Sequence, residues 1–179
     1  MTFSRRGGRC APGVPRPAVV LVGLTLLLAT GCGSPAATPK AAAAAASGVL
    51  GFTGKTIDGE PFDAAAMAGK PALLWFWAPW CATCAAQAGS VTNVQAEYGD
   101  KLNVLGIAGM GDNADMHEFV SDLEVGSVRN LDDEAGVLWK KFGITEQSTY
   151  VLVDRSGGIV TTGYLDDLEL TTKVKSLVA

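Results

Sequence analysis

Histidine and cysteine are scarce in this sequence of 179 residues, which has one histidine and four cysteines. After residue 32 the only cysteines are Cys81 and Cys84, and the only histidine is His117. A structural zinc ion needs four ligands, most often from cysteine and histidine. These three residues therefore disfavour zinc, and we predict no metal and no bound cofactor. Any disulfide formed within the chain after residue 32 must join Cys81 to Cys84.

Acidic residues are absent from the first 17 positions, which carry four arginines. An apolar run follows from Ala18 to Ala29 and ends at Thr30-Gly31-Cys32. A basic leader, a short apolar core and small residues at its exit are the parts of a secretory signal peptide. The run is shorter than the roughly 18 apolar residues of a membrane-spanning helix, although an uncleaved anchor stays open as an alternative.

The segment from Ala29 to Cys32 resembles a bacterial lipobox, in which the signal is cut before the cysteine and the thiol takes a diacylglycerol. We therefore predict that Cys32 is lipidated; an ordinary thiol near another kind of cleavage site is the alternative. Residues 33–48 contain no large apolar side chain and are typical of a tether. The predicted organisation is a signal peptide at 1–31, the lipidation site and tether at 32–48, and one folded domain at 49–179.

Positive charge is also scarce once the predicted leader is removed. The whole chain has 14 basic and 18 acidic residues. The leader holds four of the basic residues and none of the acidic ones, so the mature chain has a net charge of −8. An acidic protein is repelled by phosphate backbones and anionic lipid, which disfavours nucleic-acid binding and polybasic docking on membranes. Membrane attachment would then depend on Cys32.

Hydrophobic patterning after residue 49 predicts alternating strands and helices. The near-continuous apolar run 71–77 is typical of a strand buried on both faces. The other predicted elements are short strands at 50–52 and 56–57, a helix at 84–98, a strand at 102–108, helices at 116–123 and 135–142, a hairpin of 150–154 and 158–162, and a last helix opened by Asp166 with Glu169 as a capping box. This order predicts an α/β fold with a central mixed sheet flanked by helices.

The segment Trp80-Cys81-Ala82-Thr83-Cys84 lies where the buried strand gives way to a helix. This spacing places Cys81 at the helix N-terminus, where free N–H groups and the helix dipole stabilise a thiolate. We predict that Cys81 is the attacking thiol. Cys84, one turn into the helix, faces the core and resolves the mixed disulfide by intramolecular attack.

Residues 74–84, Leu-Trp-Phe-Trp-Ala-Pro-Trp-Cys-Ala-Thr-Cys, resemble the active-site segment of extracytoplasmic thioredoxin-like proteins of the TlpA/ResA/DsbE group. The similarity extends over about 50–179 and includes actinobacterial lipoproteins that form disulfides in exported proteins. It implies a thioredoxin-like fold and a monomeric thiol–disulfide oxidoreductase on the extracytoplasmic face of the membrane. Its partners would be exported cysteine-containing proteins and a membrane redox protein. The resemblance places the substrate groove at Trp80, Ala82, Thr83, Gln147, Ser148 and Thr149.

Several positions depart from the pattern of the family, among them Ser148, Gln87 and Trp75. Ser148 replaces a cis-proline, Gln87 replaces a glutamate that accepts protons, and Trp75 stands where thioredoxin has a buried aspartate. A cis bond before a non-proline residue costs about 2.5–4 kcal/mol, so we expect a trans bond at Ser148 and weaker docking of substrate. On this reasoning, Ser148→Pro should speed disulfide exchange.

Two other functions stay open from the sequence. The loss of the proline favours a binding module that holds a partner or a copper or haem-related cargo without turnover, but no histidine follows His117 to serve copper. A peroxidase would need a threonine and an arginine around its cysteine. Among the remaining residues, we predict that Trp75, Trp77 and Trp139 are core, that Trp80 is at the surface and that His117 is simply exposed.

Overall fold

The structure is a computed structural model that describes residues 48–179, and its centre is a seven-stranded mixed sheet with helices on both faces. The strands are β1 (Thr53–Thr56), β2 (Pro61–Asp63), β3 (Ala72–Trp77), β4 (Asn103–Ala108), β5 (Arg129–Asp132), β6 (Thr149–Val153) and β7 (Ile159–Gly163). The helices are α1 (Ala82–Tyr98), α2 (Asn113–Asp122), α3 (Val137–Phe142) and α4 (Asp167–Val178). Short 3₁₀ turns occupy Gly48–Leu50, Ala64–Met67 and Val125–Ser127.

The strands are arranged in the order β2-β1-β5-β4-β3-β6-β7. Strand β4 is parallel to β3 on one side and to β5 on the other, and all remaining neighbours are antiparallel. Strand β3 lies inside the sheet, and all six of its residues are buried. This explains its uninterrupted apolar sequence. The α/β fold with a mixed sheet, predicted from the sequence, is confirmed.

Alternate side chains of β3 point into two separate cores, as the period of two in a strand requires. Leu73, Trp75 and Trp77 pack on the face covered by α1, α2 and α4. Leu74 and Phe76 pack on the opposite face, which α3 covers. Both cysteines of the Cys-x-x-Cys motif belong to the first core. The redox motif is therefore positioned by the tryptophan-bearing face of the central strand.

Helix ends follow the predicted signals in the second half of the chain. Asp166 and Glu169 form a capping box at the start of α4, and Gly143 ends α3 in the left-handed conformation that glycine tolerates best. The turn at 155–157 joins β6 and β7 as a hairpin. No helix within residues 48–179 has the length and apolar composition needed to span a bilayer.

Two features of the sheet differ from the prediction. Leu50 and Phe52 are buried but do not lie in a strand; the first hairpin is formed instead by β1 and β2 around Asp58-Gly59. Strand β5 has no counterpart in the prediction, because it is short and largely polar. Its buried Asn130 uses its side chain to accept from the indole of Trp77 at 3.0 Å. Polar pairing of this kind hides a strand from a search for hydrophobic patterns.

Helix α3 begins two residues later than predicted. The carboxylate of Asp133 accepts hydrogen bonds from the backbone N–H groups of Leu138 and Trp139, at 3.0 and 2.8 Å. Gly136, at φ +67°, turns the chain into the first helical residue, Val137. Asp133, from the acidic cluster that begins at Asp132, thus caps the start of this helix.

Candidate active site

Cys81 and Cys84 form a disulfide where β3 leads into α1. Cys81 is the N-cap of α1, with extended φ and ψ of −87° and 108°, and its Sγ accepts the backbone N–H of Cys84 at 2.9 Å. The helix therefore directs one of its free N–H groups at the sulfur of Cys81. This arrangement stabilises negative charge on that sulfur when the disulfide is opened.

The two cysteines differ in depth. The side chain of Cys84 is fully buried, whereas 4% of Cys81 is exposed, and the intervening Ala82 and Thr83 are both exposed. An incoming sulfur can therefore approach the pair only from the side of Cys81. The geometry brings the two residues together as the sequence predicted and gives them unequal access to solvent.

Ser148 lies against both sulfurs. Its Oγ is 3.1 Å from the Sγ of Cys81 and 3.2 Å from the Sγ of Cys84. The residue is buried, and its backbone has φ +63°, in the left-handed region that non-glycine residues seldom adopt. A proline ring fixes φ near −65°, so the backbone at Ser148 is not one that the proline of the family could occupy.

Three of the departures from the family are joined by hydrogen bonds. The indole N–H of Trp75 donates to Oε1 of Gln87 at 2.9 Å, and Nε2 of Gln87 donates to the backbone carbonyl of Ser148 at 3.2 Å. All three residues are buried. The network connects the central strand, the active-site helix and the loop before β6, and it fixes the backbone of Ser148 beside the disulfide.

Trp80 is held in place by the loop that follows β4. Its side chain is 58% exposed, and its indole N–H donates to the carbonyl of Met110 at 2.6 Å. Gly111 packs so closely on Pro79 that an added Cβ would overlap the proline ring. The loop therefore fixes the residue before Cys81, which presents a large aromatic surface next to the disulfide.

Known proteins are similar to this chain in sequence and in fold. The Redoxin family model matches residues 35–178. The soluble secreted antigen MPT53 of Mycobacterium tuberculosis is 37% identical over 139 residues, which make up 78% of this chain and 76% of that protein. The chain belongs to the Redoxin family.

Two solved structures are similar to this redoxin over most of its length. The structure of dsbF from M. tuberculosis, in mixed oxidized and reduced forms, has a TM-score of 0.68 and 39% identity, and the match covers 72% of this chain and 96% of that chain. A secreted disulfide oxidoreductase of M. tuberculosis, homologous to E. coli DsbE, has a TM-score of 0.66 and 36% identity, with coverage of 72% and 98%. This redoxin is therefore a thioredoxin-like thiol–disulfide oxidoreductase.

Two grooves flank the Cys-x-x-Cys motif of this redoxin. One has a volume of 510 Å³, and its lining comprises Pro79, Trp80, Cys81, Ala82, Ala85, Asp115, Glu118, Phe119, Asp122 and Leu123. The other has a volume of 380 Å³, and its lining comprises Thr83, Ala86, Gln87, Tyr164, Leu165, Asp166, Asp167 and Leu168. A larger cleft of 920 Å³ beside β1 contains neither cysteine, so its size does not make it the site of this chemistry.

The remaining predicted residues lie in different surroundings. Trp80, Ala82 and Thr83 line the two grooves, whereas Gln147, Ser148 and Thr149 line neither. Gln147 is half-buried, and the buried Thr149 donates its hydroxyl proton to a nearby backbone carbonyl in the same loop. Cys32 lies outside the described residues.

The predictions for histidine and the other tryptophans are confirmed. His117 is exposed and contacts the carbonyl of Ile57 at 3.0 Å. Trp75, Trp77 and Trp139 are buried in the two cores.

The sequence did not predict the positions of two residues near the site. Gln87 is buried on the face of α1 that carries Cys84. Its spacing of three residues from Cys84 was the signal in the sequence, because residues three apart lie on the same face of a helix. Tyr150 lies next to Trp75 across β3 and β6. Burial, with smaller contributions from Asp167 and Tyr164, raises the pKa of Tyr150 far above its ordinary value. Burial thus favours the neutral phenol at this position.

Proposed function

We propose that this redoxin catalyses thiol–disulfide exchange on exported, cysteine-containing proteins, with Cys81 as the attacking thiol and Cys84 as the resolving thiol. The observation that carries the proposal is the position of Cys81, which caps α1 and is the only residue of the pair with any exposure. The secreted relatives MPT53 and the M. tuberculosis disulfide oxidoreductase support the extracytoplasmic part of the proposal. A membrane redox protein would return the pair to its working state.

The substrate would approach across the exposed surface of Trp80, Ala82 and Thr83, between the two grooves. Trp80 offers an apolar face whose polar N–H is already satisfied by a backbone carbonyl, so the ring can contact a substrate without leaving a polar group unpaired. Gln147, directly before Ser148, offers backbone for pairing with an extended substrate. We propose that the enzyme acts as a monomer.

Two assays run side by side test the function. Oxidation of reduced ribonuclease measures disulfide formation, and reduction of insulin measures disulfide cleavage. We expect turnover in at least one assay, with the ratio of the two rates giving the direction of electron flow. The matched control is Cys81→Ala, which leaves the fold but removes the attacking sulfur and should reduce both rates to the uncatalysed level.

A binding module without turnover is the second candidate, and Ser148 in place of the proline of the family is the observation that favours it. If both assays give only the uncatalysed rate with correctly folded protein, the enzymatic proposal is refuted and the binding module is favoured. A folded wild-type chain that turns over in either assay excludes the binding module.

We further propose that the chain is exported by a signal peptide at 1–31 and anchored through a lipid on Cys32, followed by a tether at 32–48 and the folded domain at 49–179. The lipobox-like sequence before Cys32 supports this. Mass spectrometry of the native protein should show a mature N-terminus at Cys32 carrying acyl chains. The Cys32→Ser variant should lack them and leave the membrane fraction. An unmodified N-terminus downstream of Cys32 in the wild-type protein would contradict the proposal.

A further inference from the structure

The hydroxyl of Ser148 is the one side-chain hydrogen-bonding group within reach of the two sulfurs among residues 48–179, at 3.1 Å from Cys81 and 3.2 Å from Cys84. Neither sulfur of a disulfide carries a proton, so in this state the hydroxyl is the donor. A hydroxyl has one proton and can serve only one sulfur at a time. Its nearly equal distances to the two sulfurs allow that proton to switch between them by rotation about the Cβ–Oγ bond, with the oxygen in place.

The loop holds this hydroxyl in place before any reaction begins. The carbonyl of Ser148 is fixed by Gln87, which is itself fixed by the indole of Trp75. Both the oxygen and the nitrogen of the Gln87 amide are thus engaged, and within the described chain Gln87 makes no hydrogen bond to Cys81 or Cys84. The residue that stands at the position of the acidic group of the family therefore supports Ser148 rather than the sulfurs.

We propose that Ser148 is a catalytic residue whose hydroxyl donates a hydrogen bond to whichever sulfur carries negative charge. The inference rests on the proposed function of Cys81 and Cys84. In this proposal a neutral hydroxyl stabilises a buried thiolate. Cys84 has no exposed surface, so water does not stabilise its charge, and a hydrogen bond to an ionised group is about twice as strong as one between neutral groups.

In the oxidising direction, a substrate thiolate attacks the Sγ of Cys81, forming a bond to that sulfur while the bond between Cys81 and Cys84 breaks. The electron pair passes to Cys84, whose thiolate receives the hydrogen bond from Ser148. A second substrate thiolate then attacks the substrate sulfur and displaces Cys81, to which the hydroxyl turns. The substrate dithiol loses two electrons and two protons, and the enzyme disulfide gains two electrons and takes up two protons. Reduction follows the same steps in reverse.

A pair of variants separates the hydroxyl from the backbone at this position. Ser148→Ala removes the hydroxyl and keeps Cβ, whereas Ser148→Gly removes the hydroxyl and accepts φ +63° without strain. Equilibration with glutathione measures how readily the disulfide opens. Because a hydrogen bond to a charged group is lost, we expect about a tenfold fall in that equilibrium constant for both variants, equivalent to a reduction potential lower by about 30 mV.

The pH dependence of the alkylation of Cys81 provides a second readout. The midpoint of alkylation should move to higher pH in both variants, since the thiolate has lost a donor. If Ser148→Ala differs from wild type and Ser148→Gly does not, the effect comes from the backbone and the proposal is wrong. Equal values for all three proteins would overturn it as well. Glutathione is not a protein substrate, so this outcome is independent of the ribonuclease and insulin assays.

Discussion

In the Cys84→Ser variant, exported proteins should accumulate as mixed disulfides with Cys81, whereas Cys81→Ser should trap almost none. Cys81 is the N-cap of α1 and has the only exposure of the pair, so it meets the substrate first. Once Cys84 has lost its sulfur, residues 48–179 contain no other thiol that can displace the substrate from Cys81, and the intermediate persists. Non-reducing electrophoresis followed by mass spectrometry of the trapped bands measures the effect.

The double variant Cys81→Ser with Cys84→Ser is the matched control, because it retains the fold and has no thiol at the motif. It should show no trapped band. Turnover in the ribonuclease and insulin assays should fall to the uncatalysed rate in both single variants. Equal trapping through Cys84 in the Cys81→Ser variant would mean that the buried sulfur is accessible in solution, and the assignment of roles would be wrong.

The central part of the fold could be predicted because its signals are local. The apolar run of β3, the helical spacing after Cys84 and the capping pair at Asp166 each lie within one element, and hydrophobic period or capping chemistry predicts them directly. Strand β5 could not be predicted in this way, because its buried Asn130 depends on a hydrogen bond to Trp77, 53 positions away. Such a contact leaves no periodic trace in the sequence.

The sequence singled out Trp75, Gln87 and Ser148 one by one, but it did not predict the connections between them. From the sequence, Trp75, Gln87 and Ser148 are three separate losses of family chemistry. In the structure they form one chain of two hydrogen bonds, whose partners lie 12 and 61 positions apart in the sequence. The amide of Gln87 matches the donor of Trp75 and the acceptor of Ser148, whereas a carboxylate would meet the carbonyl of Ser148 with a second acceptor. The substitutions are thus physically complementary.

This network reverses the expectation for proline at position 148. Sequence reasoning predicts that Ser148→Pro restores the loop of the family and speeds exchange. The structure has φ +63° at Ser148, about 130° from the value that a proline ring permits. Proline would have to rotate the backbone away from that conformation and displace the carbonyl that Gln87 binds. It would also remove the hydroxyl beside both sulfurs.

We therefore expect Ser148→Pro to slow exchange at least tenfold relative to wild type, since it removes the charge-assisted hydrogen bond and also moves the loop. Its free energy of unfolding should fall by more than about 1 kcal/mol, as for proline placed at an incompatible φ. Stopped-flow exchange with glutathione and urea unfolding measure the two quantities. Ser148→Gly is the matched control: it lacks the hydroxyl but accepts the backbone, so it should lose rate without the same loss of stability. A folded Ser148→Pro protein that exchanges faster than wild type would show that the loop can adopt the conformation of the family, and that Ser148, with its partners Trp75 and Gln87, limits the enzyme instead of serving it.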